Sequence, residues 1–291
     1  MSSKAVKDEI KDEIDLKKLA NNIRQDIIKM LVEAKSGHSA GPLGMADVFV
    51  ALYFGGVLKY NPQKPDWDGR DYVVLSNAHI CPVLYATMAH AGYFPKEELM
   101  TLRKFKSRLQ GHPHRLDLPG LELSAGSLGQ GLSVACGLAY AMRMDQKPNW
   151  IWCFMGDGEL DEGSIWEAVM WAGKNKLFNL TGIVDRNNIQ IDGHTEEVMP
   201  LEPLRDKFEA FGWHVQEVDG HNIEEIIDAL NLSKKIYEKP SVIIAHTMPG
   251  CGVDFMEWKP EWHGKPPNTE EGKKALEQLR TLGGKIRSEH E

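Results

Sequence analysis

The sequence predicts an α/β protein with a mostly parallel sheet and helices on both faces. Apolar runs at 150–155 and 180–184 have the length and the aromatic or β-branched content of strands buried in such a sheet. Between residues 16 and 35, apolar side chains recur at helical spacing. Glycines and polar residues follow the strand ends, where open α/β sheets bind their ligands.

Composition and charge limit the possible partners. The chain has 291 residues, enough to bury a large core in one long α/β domain. Its formal net charge is −8, from 42 acidic and 34 basic residues, which argues against nucleic acid or an anionic membrane as the main partner. Any phosphate binding must therefore be local.

The cysteines and the N-terminus indicate the compartment. Four cysteines are scattered without C-x-x-C or metal-site spacing, which is typical of a reducing compartment. No apolar run has transmembrane length, and residues 1–18 are charged throughout, without the apolar region of a signal peptide. We therefore expect a cytoplasmic protein with no membrane partner.

The first half of the chain alternates helices with loops around one strand. Residues 1–15 are predicted to be a charged extension, and the helix over 16–35 ends at Ser36-Gly37 because glycine is a usual C-terminal stop. The loop 107–122 lacks any period and holds His112 and His114; long irregular loops in compact domains are often functional. The other predicted elements are helices at 45–53, 81–91 and 96–105, a strand at 71–75, and a helix to residue 143 that the glycine-rich segment 124–131 opens.

The second half is organised around the two central strands. A helix over 164–177 connects them, and a right-handed βαβ crossover places the carboxyl ends of both strands at one sheet edge. The remaining predicted elements are a helix at 201–211, a strand at 213–218, a helix at 223–237 capped by 219–222, a strand at 240–245, an irregular segment at 246–267, and a helical tail over 269–291 that completes the domain 16–268.

Polar groups at that sheet edge predict a metal site. Gly156-Asp157-Gly158 follows one strand, and Asn187-Asn188-Ile189 follows the other. The Asp157 carboxylate, the Asn187 amide oxygen and the Ile189 carbonyl are hard oxygen ligands suited to Mg²⁺ or Ca²⁺. One formal charge does not satisfy a divalent ion, so an anionic ligand on the helix start, most naturally a diphosphate, would supply further oxygens. The alternative is that both segments are only turns.

These residues, with six further segments, carry a resemblance to the transketolase family. The unit from Gly156 to Asn187 is similar to the metal and diphosphate motif of thiamine diphosphate enzymes. The other segments occur in transketolase order and are Ser36 to Gly44, Leu75 to His79, Gly111 to Pro113, Gly126 to Gly131, Ile191 to Gly193, and His263-Gly264. The resemblance covers about residues 16–268 and implies the diphosphate-binding (PP-type) thiamine diphosphate fold.

The resemblance also implies roles for individual residues. Asp157, Asn187 and Ile189 would hold the metal, and Glu162 and Glu167 would join a carboxylate network across a dimer interface. His38, His112 and His263 would face the sugar substrate. Cofactor contacts are expected from His79, Gly126, Leu128, Gly156, Asp157, Gly158, Glu159, Asn187 and His263.

The resemblance implies a split enzyme. Single-chain transketolases continue into a second cofactor-binding domain, which supplies the activating glutamate and the arginines for the sugar phosphate. We therefore expect an N-terminal subunit, inactive alone, that forms an α₂β₂ assembly with a separate C-terminal chain. It would transfer a two-carbon ketol unit between sugar phosphates of the pentose phosphate pathway. Ser39-Ala40 stand where the family often has Pro-Gly, and Ala78, Ile80 and Ser127 also depart from the common family pattern.

Two alternatives remain open from the sequence. Another thiamine diphosphate class, such as a 2-oxo acid dehydrogenase α subunit or deoxyxylulose phosphate synthase, shares the unit from Gly156 to Asn187 but is not expected to carry the histidine set. A non-catalytic homologue could keep the fold as an interaction protein, although the intact metal ligands argue against it.

Overall fold

Five parallel strands in the order β1-β2-β3-β7-β6 form the central sheet. The computed structural model describes residues 13–282. The strands are β1 (Tyr72–Leu75), β2 (Ile151–Gly156), β3 (Leu180–Arg186), β6 (His214–Asp219) and β7 (Ser241–His246), with β4 (Ile189–Gln190) and β5 (Gly193–His194) as a separate antiparallel pair.

Ten α-helices accompany the strands within residues 13–282. They are α1 (Glu13–Ala34), α2 (Ala40–Gly44), α3 (Ala46–Phe54), α4 (Cys81–His90), α5 (Gly131–Met144), α6 (Gly163–Lys174), α7 (Thr195–Val198), α8 (Leu204–Ala210), α9 (Ile223–Ser233) and α10 (Thr269–Leu282). Of the predicted extension 1–15, residues 1–12 lie outside the described residues, and α1 begins at Glu13. The last nine residues of the predicted tail, 283–291, also lie outside them.

Alternating strand residues build two cores, one on each face of the sheet. Trp152 and Phe154 of β2 pack with α1, α3 and α4, whereas Ile151 and Cys153 pack with α5 and α6. Period-two alternation puts successive side chains on opposite faces. The predicted parallel sheet with helices on both faces is therefore confirmed. Within the described residues, no helix is both long enough and apolar enough to cross a membrane.

The central crossover has the predicted arrangement. Strands β2 and β3 pair in parallel, and Gly156 is in register with Asp185. The residues after each strand, Asp157 and Asn187, thus emerge at the same sheet edge.

One predicted helix was wrong in type. The predicted helix at 96–105 is a 3₁₀ turn over Lys96–Thr101 in which only Leu99 is buried, too little apolar surface to stabilise an α-helix. The predicted helix over 164–177 is observed as α6, and the acidic residues between Asp157 and α6 form a separate 3₁₀ turn, Gly158–Asp161.

Candidate cofactor and substrate site

A cavity of about 270 Å³ lies at the carboxyl ends of β1, β2 and β3. Most of the residues singled out from the sequence line it. These are His38, His79, His112, Gly126, Leu128, Gly156, Asp157, Gly158, Glu159, Asn187, Ile189 and His263. Asp185, Gln190 and Ile191 also line it, and sequence reasoning assigned them no role. Glu162 and Glu167 do not.

Asp157 is buried at the end of β2 and is held by three donors. Its Oδ1 accepts from the Gly158 backbone N–H at 2.8 Å, and its Oδ2 accepts from the Asn188 N–H at 2.7 Å and Arg186 Nη1 at 3.1 Å. Burial raises the pKa of Asp157 to about 6, although Arg186 and both backbone donors act in the opposite direction. The protein donors thus compensate the charge only partly, as suits a carboxylate that takes a cation.

Asn187 presents its amide oxygen in a fixed orientation. Its Nδ2 donates to Asp185 Oδ2 at 2.8 Å, so its Oδ1 must point the other way, where it accepts from the Ile189 N–H at 3.1 Å. Asp185 is itself fixed by the Thr247 hydroxyl, and burial raises the pKa of Asp185 to about 7. The second lone pair of the Asn187 oxygen is left for a cation.

Glu159, which lines the cavity, accepts hydrogen bonds from three segments of the chain. Its carboxylate accepts from the Ser76 hydroxyl after β1, from the Gly129 N–H at 2.8 Å and from the Gly156 N–H at 3.1 Å. Burial raises the pKa of Glu159, against the effect of these donors. The side chain therefore anchors the glycine-rich segment to the ends of both strands.

Three histidines from distant segments form a cluster at the cavity. The ring centroids of His38, His79 and His263 are 5.0 to 5.7 Å apart. Burial, followed by His263, Arg103 and His112, lowers the pKa of His38 to about 4, and burial also lowers the pKa values of His79 and His263. All three rings are thus neutral at pH 7. The Nδ1 atoms of His38 and His263 are buried without a hydrogen-bond partner.

Two further contacts hold this cluster. The Ser39 hydroxyl donates to the Lys265 carbonyl, which joins the segments that carry His38 and His263. Proline has no such donor, so this departure from the family pattern has a structural use here. A Cβ on Gly126, which has φ +149°, would lie 3.6 Å from the His112 ring, so the glycine-rich segment runs close beside that histidine.

Glu162 and Glu167 lie outside the cavity at the start of α6, where both are exposed. A Cβ on Gly129 would be 2.7 Å from Glu162 Cβ, so this side chain stands directly behind the glycine-rich segment. Exposed apolar side chains also occur on α5 and α6, among them Met144, Met170 and Trp171. Glu167 precedes Met170 and Trp171 by about one helical turn, so it lies on the same face of α6 as these two side chains.

A second polar cluster, Asp47, His221 and Cys251, lies away from the cavity. Its potential ligand atoms are within 4.8 Å of one another. However, His221 Nε2 accepts the Met248 backbone N–H at 2.8 Å, so the ring proton is on Nδ1, which is 2.8 Å from Asp47 Oδ2. Arg24 already binds both oxygens of Asp47. We interpret this cluster as a hydrogen-bond network and not a metal site.

Comparison with known proteins agrees with this geometry. Residues 15–283 match the family described as transketolase, thiamine diphosphate binding domain. The chain belongs to the transketolase family. It is 44% identical over 271 residues to the 6-deoxy-6-sulfo-D-fructose transketolase subunit SqwG of Clostridium sp. (strain MSTE9), covering 93% of this chain and 98% of that relative.

Other transketolases show which part of the enzyme this chain represents. It is 40% identical to one subunit of the apulose-4-phosphate transketolase of Phocaeicola vulgatus, over 92% of this chain and 94% of that relative. The transketolase structure from Leishmania mexicana superposes with a TM-score of 0.86 at 35% identity, over 92% of this chain but only 41% of that chain. The chain thus spans about two fifths of that transketolase, and it is an N-terminal transketolase subunit.

The residues present fit thiamine diphosphate and its metal. The donor set is a buried carboxylate, an oriented amide oxygen and a main-chain carbonyl, which are hard ligands at one edge. A Cβ on Gly158 would meet Gln190 at 3.0 Å, so only glycine leaves the backbone open beside Asp157. The buried, unpartnered Nδ1 atoms of His38 and His263 add polar groups that a bound ligand would satisfy.

Sequence reasoning missed the residues that support the ligands. Asp185 lies two residues before Asn187 on β3, on the same side of the strand, and that period-two spacing was the available signal. Arg186 contacts Asp157, and Arg103 contacts the Gly111 carbonyl beside His112. Nothing in the local sequence of either arginine indicates these contacts.

Proposed function

We propose that this chain binds thiamine diphosphate through a divalent cation and serves a transketolase that transfers a two-carbon ketol unit between sugars. The observation that carries the proposal is that Asp157, Asn187 and Ile189 line one cavity with His38, His79 and His263. The histidine set distinguishes this site from those expected in thiamine diphosphate enzymes that act on 2-oxo acids.

Cofactor binding is assigned to the two strand ends. Asp157, Asn187 and the Ile189 carbonyl would hold Mg²⁺ or Ca²⁺, and His79, Gly158 and His263 would contact the diphosphate. Gly126 and Leu128 would line the rings, while Gly156 and Glu159 keep the backbone in place through the Glu159 contacts. When bound, thiamine diphosphate supplies the electron sink for cleavage of the carbon–carbon bond.

Proton transfer is assigned to the histidines. His38, His112 and His263 have lowered pKa values, chiefly because of burial, so they are neutral at pH 7. A neutral imidazole can accept the proton of a sugar hydroxyl during cleavage and return it to the product. The unpartnered Nδ1 atoms of His38 and His263 are available for such contacts.

Partner and substrate follow from the relatives. We assign the activating glutamate and the binding of the anionic end of the sugar to a C-terminal transketolase subunit in an α₂β₂ assembly, with Glu162 and Glu167 at the interface. Relatives are named for 6-deoxy-6-sulfo-D-fructose and apulose 4-phosphate, so the proposed substrates are ketoses with a sulfonate or phosphate end. The pentose phosphate pathway stays a prediction. Four buried, free cysteines favour a cytoplasmic location.

A reconstitution assay tests this function. The chain is mixed with a C-terminal transketolase subunit from the same organism, thiamine diphosphate and Mg²⁺. Ketol transfer is measured from xylulose 5-phosphate and from 6-deoxy-6-sulfofructose, with pyruvate decarboxylation as the comparison. We expect transfer only when both chains are present, and no decarboxylation. Turnover by this chain alone, or decarboxylation of pyruvate, would contradict the proposal. Absence of thiamine diphosphate binding in calorimetry of the complex would identify a non-catalytic homologue.

A further inference from the structure

Arg103 lies between the 3₁₀ turn Lys96–Thr101 and the loop that carries His112. Its backbone has φ +59°, the left-handed region that non-glycine residues rarely adopt. Its N–H donates to the Leu109 carbonyl at 2.9 Å, which closes the turn that leads into this loop. Such a conformation persists only where the surroundings hold it, and it is often found beside functional sites.

The guanidinium of Arg103 joins two segments that are far apart in sequence. Nη1 donates to the Ser36 hydroxyl at 2.8 Å, and Nη2 donates to the Gly111 carbonyl at 3.3 Å. Ser36 lies two residues before His38, and Gly111 lies directly before His112. One planar side chain thus connects the approaches to both histidines.

Gly111 makes room for this side chain, and Gly37 lies beside it. A Cβ on Gly111 would lie 2.8 Å from both Nε and Cζ of Arg103, so only glycine fits there without a shift. A Cβ on Gly37, which has φ +125°, would lie 3.7 Å from Nε. The guanidinium therefore packs directly on the backbone of both histidine-bearing segments.

We propose that Arg103 is a positioning residue for the ketol transfer reaction, holding His38 and His112 at the separation that the sugar requires. This inference rests on the proposed function for the role of the histidines, but not for the contacts themselves. Arg103 does not line the cavity, so it acts through the two histidines and not on the substrate.

The charge of Arg103 supports the same role. Within the described part of the chain, no carboxylate forms an ion pair with it, so its positive field acts on the nearby rings. After burial, which is the largest cause, Arg103 lowers the pKa of His112. The pKa of His38 is lowered first by burial and then by His263, and Arg103 and His112 add to this effect. The rings of His79 and His263 lie beside the His38 ring.

The test compares Arg103→Gln with Arg108→Gln in the reconstituted two-chain enzyme. Arg108 is the matched control because it is a neighbouring arginine of the same region that pairs with Glu98 instead. We expect R103Q to lower kcat/KM about 10- to 100-fold, since a misplacement near 1 Å costs about 10²-fold. Thiamine diphosphate affinity and the unfolding midpoint should match those of R108Q. R103K keeps the charge but reaches only one acceptor, so its activity should lie between R103Q and wild type.

A second readout does not depend on the reaction. In NMR titrations of the cofactor-free chain, R103Q should raise the apparent pKa values of His38 and His112, and R103K should raise them less. If R103Q does not fold, Ser36→Ala removes one contact and should lower kcat/KM in the same direction. The inference is overturned if the R103Q histidine pKa values and kcat/KM equal those of R108Q, or if S36A equals wild type. Loss of ketol transfer in the wild-type complex would instead reject the proposed function.

Discussion

At the scale of single residues, the protein itself orients the oxygens of Asp157 and Asn187 at the proposed metal site. Two backbone N–H groups and Arg186 hold the Asp157 carboxylate, and Asp185 holds the Asn187 amide, so both oxygens are oriented by the protein itself. Arg186 also pairs with Glu196 and Glu202, which limits the positive charge that it brings beside the cation. Ligands fixed in this way lose little freedom when a cation binds.

Removal of either proposed ligand should strongly weaken metal-assisted cofactor binding. For Asp157→Ala and Asn187→Ala we expect thiamine diphosphate affinity to fall by about 100-fold or more in the presence of Mg²⁺, because even supporting residues of metal sites contribute about 10- to 100-fold. Isothermal titration calorimetry on the two-chain complex measures this. Asp192→Ala, an exposed acid nearby, is the control. Equal thiamine diphosphate affinities for all three variants would show that these two oxygens do not bind the metal.

The histidine cluster makes stability depend on pH. The pKa of His38 is lowered to about 4 in the folded chain, chiefly by burial, and is about 6.5 when unfolded. Between these values the unfolded state binds a proton that the folded state does not, so the free energy of unfolding falls as pH decreases from about 6.5 to 4. His38→Asn should therefore lose less stability than wild type between pH 7 and pH 5.

Urea unfolding of the cofactor-free chain at both pH values checks this difference. His114→Asn is the control, because His114 is exposed beside Asp117 and outside the cluster. A wild-type slope in H38N would show that the ring is protonated, or accessible to water, in the folded chain.

Local sequence was enough to place Asp157 and Asn187 at one sheet edge, but it did not indicate the residues that hold them. Asp157 and Asn187 were predictable because each directly follows a recognisable strand, and parallel strands end at the same edge. Arg103 reaches Ser36 from 67 residues away, and Glu159 reaches Ser76 from 83 residues away. Such contacts depend on how elements pack, which no local pattern encodes.

At the scale of elements, Arg24 fastens α1 to the rest of the domain. It is fully buried, donates to both oxygens of Asp47 on α3 and to the Leu43 carbonyl, and Asp47 in turn accepts from His221 before α9. Burial alone would raise the pKa of Asp47, but Arg24 and His221 lower it to about 2. His221 Nε2 also accepts a hydrogen bond from the Met248 backbone N–H, so the network extends to the segment that leads toward His263.

Breaking this network should cost stability in a pH-dependent way. Asp47→Asn leaves Arg24 buried without its partner, which typically costs about 3–5 kcal/mol. Because the folded pKa is depressed, the wild-type advantage is fully present above about pH 4 and is lost as pH falls toward 2. Unfolding midpoints measured from pH 7 to pH 2 test both statements.

The control for this network is an exposed ion pair. Glu33→Gln removes the contact with Lys104, where both side chains are about half exposed, and should leave the unfolding midpoint almost unchanged at any pH. If D47N and E33Q behaved alike, the buried network would contribute no more than a surface pair.

Elements with a clear apolar pattern were predicted well, whereas a short polar segment was not. Strands β2 and β3 were predicted within a few residues because each is a continuous apolar run. Helix α1 was predicted because its apolar residues recur at helical spacing. The segment Lys96–Thr101, which was predicted as part of a helix, is a 3₁₀ turn, because it is short and polar and buries only Leu99.

At the scale of the whole molecule, α5 and α6 present an apolar outer face. Val134, Tyr140 and Met144 are exposed on α5, Met170 and Trp171 are exposed on α6, and the Tyr140 and Trp171 rings are 5.4 Å apart. Met144 is 70% exposed and Met170 is 54% exposed. A contiguous apolar patch on a folded surface usually marks a protein interface. Glu167 lies about one helical turn before Met170 and Trp171, and Glu162 lies at the N-terminal end of the same helix, which suits the interface role that we propose for them.

Charging this face should therefore disrupt assembly without unfolding the chain. Met144→Glu and Met170→Glu place a charge where the bound partner would exclude water, and burying an unpaired charge is strongly unfavourable. We expect the complex with the C-terminal subunit to dissociate at least about tenfold more readily in sedimentation velocity. Exposed substitutions usually change stability by no more than about 0.5 kcal/mol, so the unfolding midpoint should hold. Leu232→Gln on α9, an exposed apolar residue elsewhere, should leave assembly unchanged. Assembly of both charged variants at wild-type concentration would mean that this face stays in solvent, and Glu162 and Glu167 would then lose their proposed role at the interface.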